Sequence, residues 1–202
     1  MHISEGVLSA PVLACGALVA AGGIAVGLKR TREEDIPRVA LLSSAFFVAS
    51  FVHVPIGPSS VHLILNGING LILGWAAFPS IFVALLLQAV MFQYGGITVI
   101  GVNTMMMALP AVLCRYVFYR LVTGKNERKA YIGAFLCGAS SVAFSGILVA
   151  GFLFFTDESF FNTAALVLAA HLPVMIIEGV ITAVCIGFIR KVKPSLLGVV
   201  DD

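Results

Sequence analysis

The sequence predicts an all-α membrane protein, a bundle of about seven transmembrane helices with its N-terminus outside and its C-terminus cytoplasmic. Three observations carry that prediction. Of the 202 residues, 60% are hydrophobic and only 11% are charged, with a mean hydropathy of +1.07. Soluble domains carry about 25% charge, so this chain lacks the polar surface to face water on all sides and suits the bilayer as solvent. Charges and turn residues also cut the chain into apolar runs close to spanning length. Finally, the positive charges gather in loops that would lie on one side of a membrane.

The runs are Val7–Leu28, Ile36–Val54, Val61–Phe78, Pro79–Tyr94, Ile97–Leu121, Ala130–Phe155 and Asn162–Ile189. A helix needs about 20 residues to cross the hydrocarbon layer. The third and fourth runs are short and meet at a tight Trp75–Pro79 connection, so they read either as a shallow helical hairpin or as two full spans.

Threading seven spans from an outside N-terminus puts Lys29–Arg38, Trp75–Pro79, Arg120–Lys129 and the tail after Ile189 inside. Every lysine and arginine then lies inside except Arg115, which sits about one and a half turns from the inner end of its helix and can snorkel. Glu5, Asp157 and Glu158 fall outside. This is the asymmetry that the positive-inside rule requires. The first run has no basic residue before it and is followed by Lys29 and Arg30, which is the wrong order for a cleaved signal peptide. It is expected to stay as the first helix.

Small residues at four-residue spacing, Ala17 and Ala21, Gly23 and Gly27, Ala45 and Ala49, allow close helix approach, inside the bundle or against a partner. The four cysteines, Cys15, Cys114, Cys137 and Cys185, lie in apolar runs without metal-site spacing and read as buried small hydrophobes. Met105, Met106 and Met107 are consecutive, so on a helix they diverge, and core packing is their expected role. The chain has no Walker A motif, no HExxH and no GxSxG, so it is not expected to be an enzyme or to hydrolyse ATP.

Candidate chemistry rests on the histidines and one embedded carboxylate. A chain that begins Met1-His2 offers three nitrogens in sequence: the α-amine of Met1, the amide of His2 and the Nδ1 of its imidazole. Binding closes a five-membered and then a six-membered ring. Three in-plane nitrogens favour the square-planar coordination preferred by Ni(II) and Cu(II), and a fourth must come from elsewhere. His53 and His62 flank the outer loop Val54–Ser60, on the same side as the N-terminus. His62, Asn66 and Asn69 are spaced to share one helical face, expected to turn toward a cavity or the bundle interior. His53, Asn66 and Asn69 are candidates for groups that orient the ligands. His171 and Glu178 share a face of the last run and read as structural or supporting groups, while Gln88, Gln93 and Asn103 are embedded polar residues suited to interhelical hydrogen bonds.

The opening Met1-His2-Ile3-Ser4-Glu5-Gly6-Val7-Leu8 resembles the start of the CbiM/NikM family, the substrate-binding components of energy-coupling-factor cobalt and nickel transporters. His53-Val54-Pro55-Ile56-Gly57-Pro58-Ser59-Ser60-Val61-His62 resembles that family's loop-and-histidine motif. Gly95-Gly96-Ile97-Thr98, Gly101-Val102-Asn103 and His171-Leu172-Pro173 through Glu178-Gly179 match familiar stretches as well, so the resemblance covers nearly the whole chain. Ser4 departs from the proline or methionine common in relatives, without touching a proposed ligand.

The resemblance implies a single transmembrane metal-binding domain over residues 1–202: a chelating segment and first helix in 1–28 and a six-helix core in 29–202. It implies that the amine of Met1, the amide and imidazole of His2, and His62 hold Ni2+ or Co2+ in a plane as transported substrate. It also implies a multi-pass place in the cell inner (plasma) membrane and partners, namely a transmembrane coupling protein, a cytoplasmic ATPase pair and a small accessory membrane subunit, with Ala45 and Ala49 on a candidate contact face. The competing reading is a stand-alone proton-coupled metal transporter or channel that uses His171 and Glu178 as its relay.

Overall fold

In the computed structural model the structure describes residues 2–56 and 59–198, with the backbone alone at 53–56. Seven α-helices account for most of these residues: α1 Ala10–Arg30, α2 Ile36–Ala49, α3 Asn66–Leu73, α4 Ala77–Phe92, α5 Ile100–Thr123, α6 Glu127–Thr156 and α7 Phe161–Val192. By length and composition, five helical stretches can cross a membrane: Ala10–Arg30, Asn66–Phe92, Ile100–Thr123, Glu127–Thr156 and Glu158–Val192. At 14 residues, α2 is shorter than the expected run Ile36–Val54, because the chain leaves the helix at Ser50 to enter a sheet.

The chain is mostly helical, as expected, and the small sheet is an addition that the sequence did not announce. β1 His2–Ile3, β2 His53–Ile56 and β3 Ser59–His62 form three antiparallel strands in the order β1-β3-β2. The register pairs His2 with Ser60 and His53 with His62. An N-terminal segment that enters a bundle must satisfy its backbone donors and acceptors there. Pairing β1 with β3 does this, and it brings residue 2 beside residues 60 to 62.

The third run changes most. Its first residues, Val61 and His62, belong to β3, and helix begins only at Asn66. Between them Leu65 takes the left-handed conformation, φ 48°, which ends any continuous helical face. His62 therefore does not share a helical face with Asn66 and Asn69. Helix α3, with eight residues, is about 12 Å long and cannot span. Although residues 66–92 read as one apolar stretch, the chain reverses at Gly74, φ 58°. Gly70 meets Ala111 and Gly74 meets Arg115, so α3 runs alongside α5 in the same direction. Phe78 then packs on Gly23 and Gln88 reaches Ser50, so α4 runs back toward the sheet. The segment is a half-helix followed by a longer return helix whose turn reaches the basic end, so it is neither two full helical spans nor a shallow hairpin.

Helix α5 is the hub, packing on α1, α3, α4 and α6. Its middle turns are buried all round, including Met105, Met106 and Met107, as expected of a core helix with no polar face. A Cβ added at Gly70 would stand 2.1 Å from the Ala111 carbonyl oxygen, so only glycine lets α3 lie this close to α5. Gly23 and Gly27 pack inward, on Phe78 and on Trp75 with Pro79. Cys114 and Cys137 are buried as expected; Cys15 is exposed and Cys185 half-buried, so those two are not core residues.

The helix directions give the bundle two unlike ends. The sheet, Glu5, Asp157 and Glu158 lie at one. Lys29 and Arg30, Arg120, Arg128 and Lys129, and Arg190 and Lys191 end or begin helices at the other. Arg190 ties that basic end together by donating to the carbonyls of Val122 and Gly124.

Candidate metal centre

The sheet presents two histidine rings to each other inside the bundle. His2 on β1 and His62 on β3 are both buried, with ring centroids 4.6 Å apart and planes 29° from parallel. The Nδ1 of His2 and the Nε2 of His62 are 3.1 Å apart.

Each ring is anchored through its other nitrogen. The Nδ1 of His62 donates to the Leu63 carbonyl at 2.7 Å. The Nε2 of His2 lies 2.6 Å from Oε1 of Gln88, whose Nε2 donates to the Ser50 hydroxyl at 2.6 Å. A carbonyl can only accept, so both anchoring nitrogens carry the proton in the neutral rings. The two facing nitrogens are then both unprotonated, 3.1 Å apart. Two unprotonated nitrogens in close approach repel unless a cation lies between or beside them. Two nitrogens at right angles on a metal, with bonds of about 2.0–2.1 Å, lie about 2.9 Å apart, close to the separation observed. An outer partner fixing the tautomer of each imidazole is the usual support of a histidine metal ligand. Burial pushes the His62 imidazole down to about 4, so the ring stays neutral and available at ordinary pH.

Several contacts hold β1 in place. Asn103 on α5 accepts from the Ile3 amide at 3.0 Å and donates to the Ile3 carbonyl at 3.2 Å, and Ser59 donates to the His2 carbonyl at 3.0 Å. Outside the pocket, Glu5 accepts from the amide and hydroxyl of Thr98 at 2.9 and 3.2 Å, which holds its carboxyl below the usual range. The Glu5 amide donates to Gly95 at 3.1 Å. The Gly95–Thr98 stretch is thus a clamp on the N-terminal segment.

On the other side, Glu178 holds the corner between β3 and α3. One carboxylate oxygen of this fully buried residue accepts from the amides of Ile64 and Leu65 at 2.5 and 2.8 Å. These donors open α3, where a carboxylate is favoured by the unsatisfied N–H groups and the helix dipole. The bonds fix the left-handed Leu65, three residues beyond His62.

Of the expected site residues, the structure brings together His2 and His62. Met1 lies outside the described residues, as does the His53 side chain, whose backbone pairs with His62. Asn66 donates to Ser145 at 3.1 Å and Asn69 to the Leu65 carbonyl at 3.2 Å; their bonds go to α6 and to the corner and not to His2 or His62. The residues that do orient the pair are Gln88 and Asn103. A polar residue in an apolar run marks both as embedded hydrogen-bonding groups, but their partners depend on where β1 enters. His171 donates to the Val167 carbonyl at 2.5 Å on its own helix and packs on Gly146.

The chain is similar to known proteins over nearly its full length. The family model for the cobalt uptake substrate-specific transmembrane region, CbiM, matches residues 2–196. A Haemophilus influenzae chain whose name marks it as a candidate metal transport protein is 44% identical, over 98% of this chain and 97% of its own. A fused nickel transport protein, NikMN, of Rhodobacter capsulatus is 31% identical over 98% of this chain, which covers 64% of the fusion. The crystal structure of a transition metal transporter superposes with a TM-score of 0.76 at 28% identity, covering 95% of this chain and 93% of the other.

Proposed function

The chain belongs to the CbiM family of cobalt uptake transmembrane components, and from that premise we propose that it is the substrate-capture subunit of an ATP-driven nickel or cobalt importer. The observation that carries the binding part of this reading is the facing pair of bare nitrogens, His2 Nδ1 and His62 Nε2 at 3.1 Å, each ring anchored from behind. The Met1 amine and the His2 amide complete a planar set of four nitrogens. The ion bound is the transported substrate, Ni2+ or Co2+, and planar nitrogen coordination suits Ni(II).

The sheet end of the bundle faces outward and the basic end the cytoplasm, in keeping with the positive-inside rule. Captured metal therefore sits near the outer side and has to be re-exposed inward. A partner shifts that balance only by binding one state better than the other. We assign this work to a transmembrane coupling protein, a cytoplasmic ATPase pair and an accessory membrane subunit. The existence of a fused relative, of which this chain matches 64%, supports a membrane partner close to this domain. The proton-coupled alternative asks Glu178 to act as a relay; its engagement with the Ile64 and Leu65 amides gives it a scaffolding task instead.

Two experiments test the reading. One residue added before Met1, or acetylation of its amine, removes the first chelating nitrogen and abolishes tight metal binding; undiminished binding would overturn the terminal chelate. In sealed vesicles the chain alone binds metal but sustains little uptake, and adding the partner proteins with ATP gives accumulation. Robust uptake by the chain alone, driven by a pH gradient and lost in Glu178→Gln, would establish the proton-coupled alternative.

A further inference from the structure

At the basic end of the bundle α1, α2, α5 and the Gly74–Ala76 turn surround a cavity of about 360 Å³. Three arginines from three different helices line it: Arg30 at the end of α1, Arg38 on α2 and Arg115 on α5. One carboxylate shares the cavity, Asp35, and it is engaged by Arg38 at 3.2 Å. Among the described residues, three arginines against one aspartate leave the cavity at +2. Among the described residues neither Arg30 nor Arg115 has an acidic group within ion-pair distance.

What these two arginines do touch leaves their charge in place. Arg115 donates to the carbonyls of Gly70 and Leu71 and lies over the Tyr119 ring at 4.2 Å. Arg30 lies over the Trp75 ring at 5.6 Å, and the Trp75 indole donates to the Tyr116 hydroxyl at 2.8 Å. Carbonyl dipoles and ring faces attract a guanidinium without neutralising it. Two uncompensated cations in one concave site call for an anion.

We propose that this cavity binds the phosphate of an anionic membrane lipid. A guanidinium offers the forked donors that match phosphate oxygens. Tryptophan and tyrosine concentrate at the headgroup level of a bilayer, and Trp75 with Tyr116 forms one wall. Basic pockets between transmembrane helices are established seats for anionic headgroups. The surface beside the cavity fits the rest of a lipid. Tyr116 is 62% exposed, and Val117 and Leu113 beside it on α5 are 67% and 49% exposed. A headgroup held at Tyr116 leaves its acyl chains against this apolar strip, whereas free phosphate would leave the strip uncovered.

The full-length chain, delipidated in detergent, is mixed with equal phosphatidylglycerol and phosphatidylcholine, and the retained lipid is measured by native mass spectrometry. Phosphatidylglycerol is retained preferentially. Arg30→Gln, which takes out a cation with no ion pair, lowers that retention about fivefold. Asp35→Asn, which removes the cavity's carboxylate, raises it. Equal retention of the two lipids, or retention of phosphatidylglycerol indifferent to both substitutions, overturns the site. Complete displacement by millimolar inorganic phosphate overturns the lipid source in favour of a soluble anion. If Arg30→Gln leaves lipid retention intact but loosens a membrane partner protein, the cavity is a protein contact and the lipid assignment fails.

Discussion

Replacing Gln88 with leucine separates a metal centre from a mere pair of packed histidines. In the native protein the Gln88 carbonyl, 2.6 Å from His2 Nε2, pins the proton there and leaves Nδ1 bare, 3.1 Å from the bare Nε2 of His62. Without Gln88, His2 can carry its proton on Nδ1 and donate it to His62. The pocket then closes on a histidine–histidine hydrogen bond worth about 1 kcal/mol net, which an incoming metal has to break. The lost outer partner also makes the imidazole a weaker base. Removing such a partner lowers metal affinity about 10- to 100-fold, or about 1.4–2.7 kcal/mol. Gln88 also donates to Ser50 at 2.6 Å, so Ser50→Ala is the control: it deletes that bond without touching His2. The assay is Ni(II) titration by calorimetry or chelator competition in one detergent, with thermal stability measured alongside. Gln88→Leu binding within about twofold of wild type, or a Ser50→Ala loss as large as that of Gln88→Leu, would refute the tautomer argument.

Glu178→Ala strands the Ile64 and Leu65 amides in the interior, at about 1–3 kcal/mol for each buried donor. It is expected to weaken Ni(II) binding by about tenfold or more through a displaced His62, whereas Glu178→Gln keeps an acceptor oxygen and recovers most of the affinity; equal behaviour of the two variants in a metal titration would count against the corner. Gly70→Ala drives a methyl group toward the Ala111 carbonyl and is expected to cost about 1–3 kcal/mol, read as a lower melting temperature; an unchanged value would mean that α3 is not seated on α5. Burial holds the His62 imidazole at about 4, against about 6.5 in an unfolded chain. The folded state favours the neutral ring, so its contribution to stability is complete above pH 6.5 and is lost as pH falls toward 4. An imidazole NMR titration of the metal-free protein with its midpoint near 6.5 would contradict this. Between pH 8 and 6 the fall in metal affinity should then include the protons that the amine of Met1 and the amide of His2 must lose to bind, with little contribution from His62.

The apolar helices were legible in the sequence because the bilayer imposes a crude rule on them: length, few charges, and basic residues at one end. The residues from Lys29 to Arg38 and from Arg120 to Lys129 mark the turns at the basic end without any help from packing. The sheet was not legible, for equally physical reasons. β1 has two residues and β3 four, too short for a period-two pattern to rise above an apolar background. The corner after β3 needs a left-handed leucine, which no local preference announces. Its stability comes from Glu178, more than a hundred residues away in sequence. The third run therefore reads as helix from Val61, with His62 aligned with Asn66 and Asn69. The structure still brings His2 and His62 together, while the anchoring of His2 by Gln88 depends on a depth of insertion that only the folded chain defines.

The central claim is that His2 and His62 share one metal ion. X-ray absorption at the nickel edge of the purified, Ni(II)-loaded chain tests it most directly. The account predicts four nitrogen donors in a plane with outer-shell scattering from two imidazoles, one of which disappears in His62→Ala. Oxygen- or sulfur-rich six-coordinate nickel, or an imidazole signal unchanged in His62→Ala, would contradict it.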